Sequence, residues 1–243
     1  MKYNVIKINL NSRFYPEKLR NISCPPKQLF CLGNLDLLNC KSVAVIGSRV
    51  YSKYGERAAM DFSFNLAKDD ICIVSGMARG IDSFAHEAAI NAKGKTIAVL
   101  GNGVDVIYPK ENKMLYENIF RNNGLIISEY PMGTKPCKQN FPARNRIISG
   151  LSDGVLVIEA RKNSGTNITV DFALEQGKEI FVIPGSIYSK TSDGTNFLIK
   201  EGAIPVTNYK DILGYIKVMV ILYKSLIKSS KNFPINTSFP ESL

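Results

Sequence analysis

From residue 42 onward, short apolar runs alternate along the chain with stretches of helical period. The runs lie at residues 43–46, 71–74, 96–100, 125–127, 155–158 and 180–183, with a shorter one at 203–206. Each is apolar at consecutive positions, the pattern of a strand covered on both faces. Between them, Ala58, Ala59, Phe62 and Leu66 form one helical stripe, and Ile81, Phe84, Ala85 and Ala88 another. This alternation predicts an α/β fold: a Rossmann-like, doubly wound, mostly parallel sheet with helices on both faces. The domain spans 42–213, and ligands belong at the carboxyl ends of its strands.

The flanks read differently. Residues 1–41 are basic and irregular, with turn signals at Tyr15-Pro16 and Cys24-Pro25-Pro26. They predict an N-terminal extension packed on the core, with at most one short strand, near 28–32. In 214–243, Ile216, Met219, Val220, Tyr223 and Ile227 predict one short amphipathic helix with lysines on its other side. Residues 229–243, rich in Ser, Asn and Pro, read as a disordered tail.

Composition adds a soluble globular frame, with 45% hydrophobic and 21% charged residues in 243. The net charge of +10 suits an anionic partner, nucleic acid or a membrane surface, and equally a solvated basic exterior, so the motifs must decide. Five cysteines without a CxxC pair, and a single histidine, argue against a disulfide framework and a structural zinc site. A reducing cytoplasm fits best. The N-terminus lacks the pattern of a signal peptide, and the apolar run at 218–222 is too short to cross a bilayer.

Candidate chemistry concentrates in loops that leave strand ends. Gly47-Ser48-Arg49 offers a close backbone approach, a hydroxyl donor and a guanidinium fork, and it is neither G-x-G-x-x-G nor a Walker A loop. The 75–80 loop, with Ser75, Gly76, Ala78 and Gly80, reads as a nest of backbone N–H groups for an anion. Asp82, just beyond it, reads as a helix cap, and His86 as a packed histidine rather than a base. The glycines at 101–103, before Tyr108-Pro109, read as a tight turn. Ser164-Gly165-Thr166 reads both as a helix cap and as a phosphate cradle.

The run 141–152 is the most pointed of these segments. Phe141, Arg144, Asn145 and Arg146 stand at a loop-to-helix start, an aromatic and two arginines suited to stacking a base and meeting phosphates. On the predicted sheet they crowd the same end as Arg49, the 75–80 loop and 164–166. Such a surface suits several successive phosphates better than one small metabolite.

Taken in order, these segments resemble the DprA/Smf family of DNA-processing proteins. The resemblance runs over about residues 13–213 and includes Ser128-Glu129-Tyr130-Pro131, Pro184-Gly185 and Gly194-Thr195-Asn196. It implies a single-stranded DNA-binding protein without enzymatic turnover, cofactor or metal. Such a protein protects incoming DNA and loads RecA recombinase during natural transformation, usually as a homodimer. The family's DNA pocket maps onto Gly47, Arg49, the 75–80 loop, Phe141, Arg144 and Arg146, with Lys138 joining them. Many members also carry an N-terminal helical module and a C-terminal winged-helix module, for which these 243 residues leave no room. Two further readings remain. One is a nucleotide phosphoribohydrolase-like enzyme of the lysine-decarboxylase-like group, with Glu159 or Glu175 as its catalytic carboxylate. The other is membrane-surface binding through the 216–228 helix.

Overall fold

The computed structural model describes residues 4–216. The predicted tail helix beyond 216 and the tail at 229–243 lie outside the described residues. Nine strands form one sheet: β1 (Ile6–Asn9), β2 (Gln28–Gly33), β3 (Ser42–Ile46), β4 (Cys72–Ser75), β5 (Thr96–Leu100), β6 (Leu125–Ser128), β7 (Gly154–Val157), β8 (Glu179–Val182) and β9 (Ile204–Pro205). Their order across the sheet is β1-β2-β6-β5-β4-β3-β7-β8-β9, parallel from β6 to β9 and antiparallel at β1 and β2.

Alternation along each inner strand explains why both faces are apolar. In β3, Ala44 and Ile46 face one cluster while Val43 and Val45 face the other. The first cluster is closed by α5 (Asn140–Leu151) and α6 (Thr166–Glu175), through Ile147, Ile148, Leu151, Val170 and Ala173. The second is closed by α2 (Lys53–Lys68) and α3 (Ile81–Asn91), through Ala59, Phe62, Leu66, Ile81, Ala85 and Ala89. Farther along the sheet, α4 (Lys113–Arg121) packs Tyr116 and Ile119 onto Leu32, Ala98, Leu100 and Ile126. The fold is α/β and doubly wound, as the alternation predicts.

The N-terminal segment departs from expectation. It contributes two strands to the sheet and not one, since β1 pairs with β2 in antiparallel register, Ile8 opposite Leu29. Ile6-Lys7-Ile8-Asn9 alternates apolar and polar, but the run is only four residues long and only Ile8 is buried, so the signal is short.

Strand order reverses at β3, whose neighbours are β4 on one side and β7 on the other. At such a switch point the loops after the two flanking strands diverge and leave a crevice beyond the strand ends. The loops after β3, β4, β5 and β7 all open there.

Candidate functional site

The crevice is a groove of about 600 Å³. Of the residues singled out in the sequence, Gly47, Ser48, Arg49, Ala78, Lys138, Phe141, Arg144, Asn145, Ser164, Gly165 and Thr166 line it. Gly76 lines a smaller depression beside it. Ser75, Gly80 and Arg146 line neither.

The loop after β3 is shaped by its own bonds. Ser48 N donates to Glu159 O at 2.8 Å, and the Ser48 hydroxyl donates to Val50 O while accepting from Val50 N. That hydroxyl closes the turn, so it is already committed, contrary to the expected free donor. The turn leaves Arg49 exposed, with no ion-pair partner among the described residues. A Cβ on Gly80, at φ +80°, would come within 2.6 Å of Ser48 O. Glycine there lets α3 start against the Arg49 loop, which is a packing role.

The loop after β4 corrects the nest reading. The Asp82 carboxylate accepts from Gly76 N at 3.1 Å and Ala78 N at 3.3 Å. It occupies the nest that the sequence suggested was open to an external anion. Nor does it cap α3, whose N-cap is Gly80 without a side-chain bond. Ser75 is fully buried, and its hydroxyl donates to Val45 O at 2.7 Å, tying β4 to β3.

Arg144 reaches from α5 under the groove floor. Only 4% exposed, it donates through Nη1 to Gly76 O at 2.8 Å and to Val99 O. A Cβ on Gly76 would stand 2.8 Å from both Arg144 Nη2 and Asp82 Oδ2, so glycine is the spacer between cation and carboxylate. Burial lowers the Arg144 pKa to about 10, opposed by Asp82, which leaves it cationic at neutral pH. Burial raises that of Asp82, opposed by Arg144 and the two loop N–H groups. The result is an immobilised guanidinium beside a buried carboxylate beneath the groove rather than a mobile phosphate finger.

Arg146 is turned away. Two residues along an α-helix rotate a side chain by about 200°, so Arg144 and Arg146 cannot share a face. Arg146 instead holds Glu129 by a two-pronged ion pair at 2.8 and 2.7 Å, and its Nε donates to Cys24 O. It ties α5 to the end of β6 and to the N-terminal segment. The expectation of a phosphate contact there does not fit this geometry.

Phe141 stacks on Tyr108, ring centroids 5.5 Å apart at 29°. A Cβ on Gly101 would lie 2.8 Å from the Phe141 ring, so that glycine makes room for it. Tyr108, 44% exposed, follows the glycines that read as a tight turn, and its position beside Phe141 depends on folding that sequence spacing does not encode. On the opposite wall, α6 has Gly165 as its N-cap and no side-chain cap, which removes the capping reading of 164–166. The Ser164 hydroxyl is buried there without a partner among the described residues. An uncapped helix N-terminus and a spare hydroxyl suit an anion. Exposed Lys138 and Arg161 complete the rim, neither ion-paired among the described residues. Arg161 belongs to the loop after β7, and its charge was the available signal.

The carboxylates of the enzyme reading do not meet here. Glu159 is buried and accepts from Ser52 N, the Ser52 hydroxyl and the Thr191 hydroxyl, away from the groove. Glu175 sits at the far end of α6 and accepts from Ser23. His86 is fully buried, its Nδ1 2.7 Å from Thr96 Oγ1. Among the described residues no cluster of three His, Cys, Asp or Glu could hold a metal, and no helix is long and apolar enough to cross a membrane.

The family model of DNA recombination-mediator protein A matches residues 7–217, nearly all of the described chain. The chain belongs to that family. Protein Smf of Escherichia coli is 47% identical over 206 residues, covering 85% of this chain and 55% of its own length. The chain thus spans about half of that relative. The X-ray structure of DNA processing protein A from Streptococcus pneumoniae superposes with a TM-score of 0.83 at 46% identity, over 88% of this chain and 74% of that one. DNA processing protein A from Helicobacter pylori, whose structure concerns its single-stranded DNA binding mode, superposes at 0.77 with 32% identity, over 90% and 97%. Family members thus share the sheet that carries this groove.

Proposed function

We propose that the chain binds single-stranded DNA along the groove at the β3 switch point, by phosphate contact and base stacking and without chemical turnover. The observation that carries this reading is the constellation itself. Three exposed, unpaired cations, Arg49, Lys138 and Arg161, surround the buried charge of Arg144 beside the Tyr108–Phe141 stack. Cations spaced along a groove suit successive phosphates, and an aromatic platform is indifferent to base identity. Kinship with a DNA processing protein studied for single-stranded DNA binding supports the same ligand.

The resemblance to the DprA/Smf family supports a downstream role. The bound strand is protected and handed to RecA recombinase during natural transformation, by a homodimer in the cytoplasm. The 1–41 segment serves as a scaffold for 42–213, which carries the DNA site.

The test is binding of a dT oligonucleotide by point variants. Arg49→Ala should weaken binding and flatten its salt dependence. Phe141→Ala should cost about 1–3 kcal/mol with the salt dependence kept. Equal binding by wild type and both variants would place the strand elsewhere.

A further inference from the structure

Glu159 holds both ends of the short loop that carries Arg49. Its backbone carbonyl accepts from Ser48 N at 2.8 Å, just beyond the ends of β3 and β7. Its carboxylate accepts from Ser52 N at 2.9 Å through Oε2 and from the Ser52 hydroxyl through Oε1. Arg49, Val50 and Tyr51 arch between those two anchors. From the far side the Thr191 hydroxyl, in the loop after β8, donates to Oε1 at 2.9 Å.

Burial of this carboxylate needs compensation, for Glu159 is only 1% exposed and forms no ion pair among the described residues. The compensation is the N-terminus of α2. Ser52 is the N-cap of that helix, its hydroxyl also accepting from Gly55 N at 3.1 Å, and the helix dipole favours a negative charge there. A Cβ on Gly55 would stand 2.2 Å from Glu159 Oε2. Glycine is a poor helix former, and here its missing side chain is the space that the carboxylate occupies.

Glu159 does not line the groove, so it reaches a strand lying there only through Arg49. We propose that Glu159 is a positioning residue: its reach, and not its charge, fixes the backbone from which Arg49 meets a phosphate. A guanidinium on a pre-ordered loop loses less freedom on binding than one on a loose loop. The inference rests on the DNA-binding reading above and adds the residue that prepares its contact. Charge and reach predict opposite signs. A negative charge behind the phosphate path repels the strand, so its removal alone strengthens binding. Loss of the anchor weakens it.

The experiment separates the two with Glu159→Asp, which keeps the charge and withdraws it by one methylene, and Glu159→Gln, which keeps the reach and loses the charge. In the glutamine variant the amide oxygen still accepts from Ser52 N, and the Ser52 and Thr191 hydroxyls turn to accept from the amide nitrogen. Each variant is made in the wild-type and in the Arg49→Ala chain, and oligo-dT binding is measured beside thermal melts. Glu159→Asp should weaken binding about fivefold in the wild type, and by less than about twofold where Arg49 is already gone, because residues acting through one contact are not additive. Glu159→Gln should bind at least as tightly as wild type. Gly55→Ala, whose added methyl group displaces the carboxylate, should repeat the Glu159→Asp pattern, and it stands in for that variant if the aspartate chain does not fold. An equal loss in both backgrounds, no loss with either displacing variant, or a loss with Glu159→Gln as large as with Glu159→Asp overturns the positioning role and leaves DNA binding intact. Wild type failing to bind oligo-dT, or Arg49→Ala binding it as wild type does, overturns the DNA-binding reading instead.

Discussion

Arg144 and Arg146, neighbours but one on α5, should fail in different ways when truncated. Arg144→Ala leaves Asp82 buried without its cation and two carbonyls without a donor, which should cost roughly 3 kcal/mol of stability. Arg146→Ala breaks the Glu129 fork and should cost about 2 kcal/mol, with the slope of log affinity against log salt unchanged. Arg49→Ala should do the reverse: no change in the thermal midpoint and a shallower slope. Thermal melts paired with salt-titrated binding check all three. The residue types of the site were legible in the sequence, because Arg, Phe and Ser-Gly-Thr clusters are visible without a fold. Their directions were not: which arginine faces the groove, and that Asp82 fills its own loop, depend on rotation about α5 and on the path of 76–80. His86, the chain's single histidine, gives a further check. Burial lowers its pKa to about 3, with Arg144 adding to the effect, from an unfolded value near 6.5. A depressed folded pKa contributes stability that is present above 6.5 and lost as pH falls towards 3. Between pH 7 and pH 5 the loss should approach about 2 kcal/mol, and a folded His86→Gln variant should remove that part of the slope.

At the scale of elements, the parallel strands were readable because burial on both faces leaves unbroken apolar runs, as in 43–46 and 155–158. Strand β1 is easily passed over because its alternation covers only four residues with one of them buried, and its pairing with β2 is what makes it a strand. The joints between elements depend on glycines whose neighbours are distant in sequence. Gly80 admits the Ser48 carbonyl, and Gly101 admits the Phe141 ring. Gly80→Ala should therefore destabilise the chain by about 1–3 kcal/mol, from strain at φ +80° and a clash at the α3 start. Gly101→Ala should shift Phe141 and weaken oligo-dT binding more than it lowers the thermal midpoint. A chain that binds equally well with Gly101→Ala would show that the ring's position does not matter to the ligand.

For the whole molecule, the excess of positive charge matters only where cations are free, and at the groove these are Arg49, Lys138 and Arg161. If the chain works as a homodimer, sedimentation should report twice its 26.9 kDa mass. RecA filaments should likewise nucleate faster on strands that carry it. The most direct test of the central claim is a salt-titrated isotherm comparing single-stranded with double-stranded DNA of the same length. Three phosphate contacts predict a slope of roughly −2 in log affinity against log salt for the single strand, with the duplex bound far more weakly. Equal affinity for duplex and single strand, or an affinity indifferent to salt, would contradict it.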